Sequence, residues 1–158
     1  EVEIVKRTTA HETGSVQSII SGDEVLEIQK HVRQTPVADH LVEYAIRLTR
    51  ATRINGTREE QDGPDIVKRY VKWGAGPRAS QFLILAAKAK ALLEGSDHVL
   101  PEHIRSVAHP VLRHRILKNF NAEADGVTTD EIITALLEWT SIDDVDPETR
   151  SRLDRVLN

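Results

Sequence analysis

The segment from Pro77 to Glu94 constrains this fold more than any other. Gly76-Pro77 precedes it and Gly95 follows it, residues suited to opening and closing a helix. Proline at a first-turn position forfeits no hydrogen bond, and glycine accepts the left-handed backbone that ends one. Between them Phe82, Leu83, Leu85, Ala86, Ala89, Leu92 and Leu93 form a broad, alanine-rich apolar stripe, so the spacing predicts a central buried helix.

Helical punctuation recurs along the rest of the chain. Ser21-Gly22-Asp23-Glu24 is a capping-box pattern that predicts a helix to about Gln34, stopped by Pro36. From Val37 to Arg53, Leu41, Tyr44, Ala45, Leu48 and Ala51 repeat at helical spacing, with Arg47, Arg50 and Arg53 in the last turns and Asn55-Gly56 as the end. Ile66 to Trp73 fits neither the helical nor the strand period and reads as a short helix or an extended strand. Pro101 opens a helix to about Ala108, Pro110 interrupts it, and Val111 to Leu117 resumes. Thr128 to Glu131 is a second capping box, starting a helix through Leu137, and Asp146-Pro147-Glu148 starts a terminal one. Six or seven helical segments, with little or no strand and no internal repeat, predict an all-α fold, a compact helical bundle.

At 158 residues with 39% hydrophobic and 29% charged residues, the chain has the size and composition of one globular domain. It has no cysteine, which removes disulfides, thiolate nucleophiles and Cys-ligated zinc. No apolar run approaches the roughly 18 residues of a membrane span and no signal-peptide layout is present, so a cytoplasmic protein is expected. Methionine is absent and the chain opens at Glu1, the pattern expected of an excised piece of a longer protein. Charge is uneven: residues 65–118 hold 10 basic and 4 acidic groups, whereas residues 119–158 hold 3 and 10. The basic middle suits an anion, and the acidic end opposes wrapping by nucleic acid.

Catalytic constellations are mostly missing. There is no Gly-x-x-x-x-Gly-Lys-Ser/Thr, no Gly-x-Ser-x-Gly and no His-Glu-x-x-His. The seven histidines have no i,i+3 or i,i+4 pairing that would set two imidazoles on one helical face, so no metal site is expected. Glu59-Glu60 and Asp143-Asp144 fall in polar stretches and are assigned no acid/base role.

One motif remains, Gly74-Ala75-Gly76-Pro77-Arg78-Ala79-Ser80. Gly74, Gly76 and Ala79 satisfy a loose dinucleotide fingerprint with Asp97 downstream, but the helical punctuation after Asp97 offers no second strand for a βαβ unit. A different reading makes Gly76 the N-cap, Pro77 the first and Arg78 the second residue of the long helix. A cation there opposes the helix dipole at a cost of about 0.3–1 kcal/mol, which an anion such as phosphate would offset. An arginine that reaches solvent or pairs with a carboxylate such as Asp65 fits the same residues.

The Gly74 to Ser80 stretch resembles the Gly-Ala-Ser-Pro-Arg-Ala sensor-2 motif of MoxR-family AAA+ ATPases. Tyr44-Ala45-Ile46, Ala51-Thr52-Arg53, Ala86-Ala87-Lys88-Ala89, Asp97 to Ile104 and Val111 to Ile116 are similar to that family's lid in order and spacing, and the resemblance spans about Glu1 to Leu137. Gly76 stands where the family usually has serine, and Leu100 where an N-cap threonine or serine is common.

The resemblance implies an AAA+ helical lid domain over residues 1–139, followed by an acidic extension with a short helix over residues 140–158. It implies ATP with Mg2+, held mainly by an N-terminal AAA+ core outside this sequence, and ATP hydrolysis by the intact chain but not by this piece. The sensor-2 role falls on Arg78, with Gly76, Pro77 and Ala79 framing the nucleotide contact, and Arg53, Arg113 and Arg115 are candidate interface residues. Partners implied are the chain's own core, further copies in a homo-oligomeric, hexameric ring, a von Willebrand factor A-domain protein and a protein client, with chaperone-like remodeling as the outcome. A freestanding helical interaction module without nucleotide chemistry is the competing reading, and a nucleic-acid binder a weaker one.

Overall fold

The computed structural model describes residues 1–9, 17–54 and 63–140. The expected helix end at Asn55-Gly56, the carboxylate pairs Glu59-Glu60 and Asp143-Asp144, and the expected terminal helix after Asp146 lie outside the described residues. The chain divides into two compact units, Glu1–His31 and Val32–Asn158.

The first unit holds α1 (Val2–Thr9) and most of α2 (Gly22–Gln34), and neither helix buries a side chain. The capping box at the start of α2 is formed: Ser21 N–H donates to Glu24 Oε2 at 2.6 Å, and Glu24 N–H donates to Ser21 Oγ at 3.2 Å. Two of the helix's orphan donors are thereby satisfied by local side chains.

The second unit contains α3 (Asp39–Arg50), α4 (Asp65–Tyr70), β1 (Val71–Trp73), α5 (Pro77–Leu93), α6 (Pro101–Leu112), β2 (Leu117–Lys118), α7 (Phe120–Ala124) and α8 (Thr129–Trp139). With eight helices and a two-stranded sheet among the described residues, the fold is predominantly α-helical. The helices α1 and α7 were not anticipated from the sequence. The ambiguous Ile66 to Trp73 segment is both things in turn, helix to Tyr70 and strand from Val71. The switch depends on a distant partner, since β1 pairs antiparallel with β2 through Val71↔Lys118 and Trp73↔Leu117, with an irregular step between.

The helix α5 runs from Pro77 to Leu93 and closes at Gly95, whose φ of +74° is the left-handed conformation expected of a terminating glycine. Its fully buried face is narrower than the predicted stripe: Ala79, Leu83, Ala87 and Ala91, spaced four apart. Phe82 and Leu93 are exposed instead. The small side chains of that ridge let neighbouring helices approach, so shape rather than bulk selects the buried face. Ala79 and Leu83 join one core cluster with Leu48, Val67, Leu112, Ile132 and Leu136, while Ala87 and Ala91 join a second with Leu41, Tyr44, Val99 and Ile104. One helix thus runs through both clusters.

Pro110 does not interrupt α6, which continues to Leu112, and residues after Arg113 lead into β2 rather than a further helix. The proline is the third-last residue of the helix, where it withdraws only one amide from a ladder that is about to stop. At the other end of α6 the position filled by Leu100 lacks a capping oxygen, and His103 compensates. Leu100 N–H donates to His103 Nδ1 at 3.0 Å, which leaves Nε2, 3.1 Å from Glu94 Oε2, as the neutral ring's donor. Glu94 also receives Lys90 Nζ at 2.7 Å and is held below its ordinary pKa, chiefly by that lysine. The box at α8 forms as predicted, with Thr128 N–H donating to Glu131 Oε2 at 2.7 Å and Glu131 N–H to Thr128 Oγ1 at 3.2 Å.

Candidate functional site

The loop Gly74 to Gly76 leaves β1 and enters α5 directly, so its geometry sets where the first turn of α5 points. Gly74 lies against the end of α3: a Cβ built on it would stand 2.2 Å from Thr52 O and 2.7 Å from Arg53 Cα. Those are backbone atoms that cannot rotate away, so glycine is required there for space.

The two peptide groups that meet at Ala75 are each held. Ala75 N–H donates to Thr52 Oγ1 at 2.8 Å, and Arg53 Nε–H donates to the Ala75 carbonyl at 2.8 Å. The Thr52 hydroxyl in turn donates to Thr49 O at 2.7 Å, so its lone pair is aimed at the Ala75 amide. Thr49, Thr52 and Ala75 are buried.

Gly76 is the N-cap of α5 with φ −79° and ψ 176°, Pro77 follows at N1, and Ala79 is buried behind them with its N–H on Gly76 O at 2.9 Å. A Cβ on Gly76 would meet nothing within 4 Å, so the two loop glycines are there for different reasons. Arg78, second in the helix, is exposed and has no hydrogen bond or ion pair among the described residues. Asp65, the carboxylate suggested from sequence as its partner, faces Lys68 Nζ at 3.9 Å. The first turn of α5 contains no acidic residue, so the guanidinium and the positive end of the helix stand together uncompensated.

Beside this turn a groove of about 490 Å³ separates α3 from α5, with Val42, Ile46, Arg50 and Arg53 on one wall and Pro77, Ser80, Gln81 and Ile84 on the other. The remaining candidate arginines have contacts within the domain. Arg113 makes a bidentate pair with Asp130 at 2.7 and 2.8 Å, which raises the guanidinium pKa and lowers that of the carboxyl. Arg115 donates to Val111 O and the His114 ring, and its guanidinium lies 4.9 Å from the centroid of Phe82, one turn beyond Arg78 on α5. Sequence reasoning had not singled out Thr52 or the space requirement at Gly74. The only signal available was the presence of both within the stretches that carry the family resemblance.

The profile of the AAA lid domain family matches residues 63–136. The chain is 34% identical to the chaperone MoxR1 of Mycobacterium tuberculosis over 145 residues, 92% of this chain and 37% of that protein. It is 39% identical to protein MoxR of Paracoccus denitrificans over 70 residues, 44% of this chain and 20% of that one. A crystal structure of a candidate ATPase from Cytophaga hutchinsonii superposes with a TM-score of 0.73 at 34% identity, covering 89% of this chain and 42% of that chain. This chain carries a MoxR-family AAA+ lid domain. It spans just over a third of the length of MoxR1. Within the lid, the matched window takes in the Gly74 to Ser80 loop, Arg113 and Arg115, while Thr52 and Arg53 precede it. No helix among the described residues of the lid chain is long and apolar enough to cross a membrane.

Proposed function

We propose that this lid serves a MoxR-type AAA+ ATPase by sensing bound ATP through Arg78. The carrying observation is an exposed guanidinium, unpartnered among the described residues, at the second position of a 17-residue helix whose first turn has no acid. The residues fit a phosphate: the guanidinium supplies a fork of donors, and the helix end supplies a favourable field. When bound, ATP with Mg2+ supplies the phosphoanhydride bond to be hydrolysed, and in this reading most of its contacts lie in a nucleotide-binding core. Arg78 donates to phosphate oxygen and stabilises charge there as hydrolysis proceeds, with Gly76, Pro77 and Ala79 shaping the turn that presents it.

Lid movement on hydrolysis would then be transmitted through a homo-oligomeric ring of cytoplasmic protein to a client. The relative named as a chaperone supports remodeling or assembly as the outcome. A von Willebrand factor A-domain protein would be a further partner in this reading. Arg53, Arg113 and Arg115 would reach such interfaces only from the contacts they already make inside the lid.

The test is ATP turnover by the protein with its core present. Arg78→Ala should leave the helical circular dichroism and melting temperature unchanged and lower kcat by at least about tenfold. Wild-type kcat in that variant would refute the sensor role and favour a helical interaction module. The chain by itself should turn over no ATP.

A further inference from the structure

We propose that Thr52 and Arg53 are positioning residues for Arg78, gripping the two peptide groups that flank the Ala75 Cα so that the first turn of α5 holds one direction. This rests on the sensor reading of Arg78. The chain departs from α3 and returns at Gly74 more than 20 residues later, and three independent contacts converge at the crossing. Thr52 Oγ1 accepts the Ala75 N–H, Arg53 Nε donates to the Ala75 carbonyl, and Gly74 has no side chain to keep the two backbones apart.

The Ala75 N–H and the Ala75 C=O belong to the two successive peptide planes that meet at its Cα, so with both held neither backbone torsion of Ala75 can turn without breaking one contact. The residues that follow therefore inherit the orientation of the second plane. The next residue is the N-cap of α5, and Arg78 follows two positions later. On the other side Trp73 is paired with Leu117 across the sheet, so the short loop is restrained before and after the grip. Thr52 is fully buried, and its hydroxyl proton is already committed to Thr49 O. It therefore presents an acceptor, not a donor, to Ala75. Thr52 is buried while Arg78 is exposed, so the effect of Thr52 on chemistry passes through the loop.

The substitutions that isolate this are Thr52→Val, which keeps the shape and removes the acceptor, and Thr52→Ser, which keeps it. In the chain alone, amide exchange at Ala75 should quicken in Thr52→Val while the amides of Leu83 and Ala87 stay protected, and Thr52→Ser should restore the slow rate. Unchanged Ala75 exchange in Thr52→Val overturns the grip whatever Arg78 does.

In ATP turnover with the core present, Thr52→Val should lower kcat by about threefold or more with little change in KM, and Thr52→Ser should stay within about twofold of wild type. In an Arg78→Ala background, adding Thr52→Val should change kcat by less than about twofold, because the residue it positions is gone. A full Thr52→Val loss in that background overturns positioning while leaving the sensor intact. An inert Arg78→Ala overturns the sensor reading and the positioning role together, and the two failures are distinguished by which variant is silent.

Discussion

Gly74→Ala gives the sharpest test of how tightly the loop is built. The new methyl would stand 2.2 Å from Thr52 O, 2.5 Å from Thr52 C and 2.7 Å from Arg53 Cα. Ordinary contact requires the two segments to part by about 1 Å or more, which stretches both 2.8 Å hydrogen bonds to Ala75 beyond useful length. The buried Ala75 N–H then loses its acceptor, worth about 1–3 kcal/mol, and forced separation of packed backbone adds about 1–3 kcal/mol. Gly74 has no positive φ, so alanine is not strained by conformation and recovers about 0.4–1 kcal/mol through the unfolded chain. The net loss is about 3 kcal/mol, a fall in melting temperature of roughly 6–12 °C for a domain of this size. Thermal melts followed by far-UV circular dichroism read it directly. Gly76→Ser is the control, since nothing lies within 4 Å of the new Cβ and the hydroxyl can cap α5, so it should gain a few tenths of a kcal/mol, roughly. A Gly74→Ala melt within about 2 °C of wild type would refute the reasoning.

Two further outcomes follow from the caps. His103→Ala removes the acceptor for Leu100 N–H and empties a buried position, so it should cost about 1–3 kcal/mol in urea unfolding, and an unchanged midpoint would show that the ring is not the cap. Acid should also weaken the fold. Asp130 is held low by the hydrogen bonds from Arg113, Glu131 by the Thr128 amide and then its hydroxyl, and Glu94 by Lys90. Because the folded pKa values are depressed, their contribution is present above the ordinary values of 3.8 for aspartate and 4.5 for glutamate and fades as pH falls below them. The urea midpoint should be lower at about pH 3 than at about pH 5, and equality between the two would contradict that linkage.

What the sequence disclosed was local, and what it withheld was long-range. Ser21 with Glu24 and Thr128 with Glu131 announce their helices because each box closes over three residues. Gly76-Pro77 and Gly95 bracket α5 for the same reason. The end of α4 at Tyr70 was illegible because it depends on Leu117 and Lys118, which pair with β1 from more than 40 residues away. The buried face of α5 was misjudged because three of its four residues are alanines, and residue size there follows from the neighbours' approach rather than from hydrophobicity. The exposed position of Arg78 could be inferred from helix numbering, whereas the grip on Ala75 could not, since nothing in the local chemistry of a threonine after a helix names an amide 23 residues on.

The two glycines that flank Ala75 are the residues with most freedom to lose when a chain orders. That loss is incurred once, on folding, since the sheet, the crossing at Thr52 and the helix cap already hold the loop. Whatever meets Arg78 therefore encounters a turn whose backbone disorder has been spent beforehand, and its binding free energy is not drained by ordering glycine.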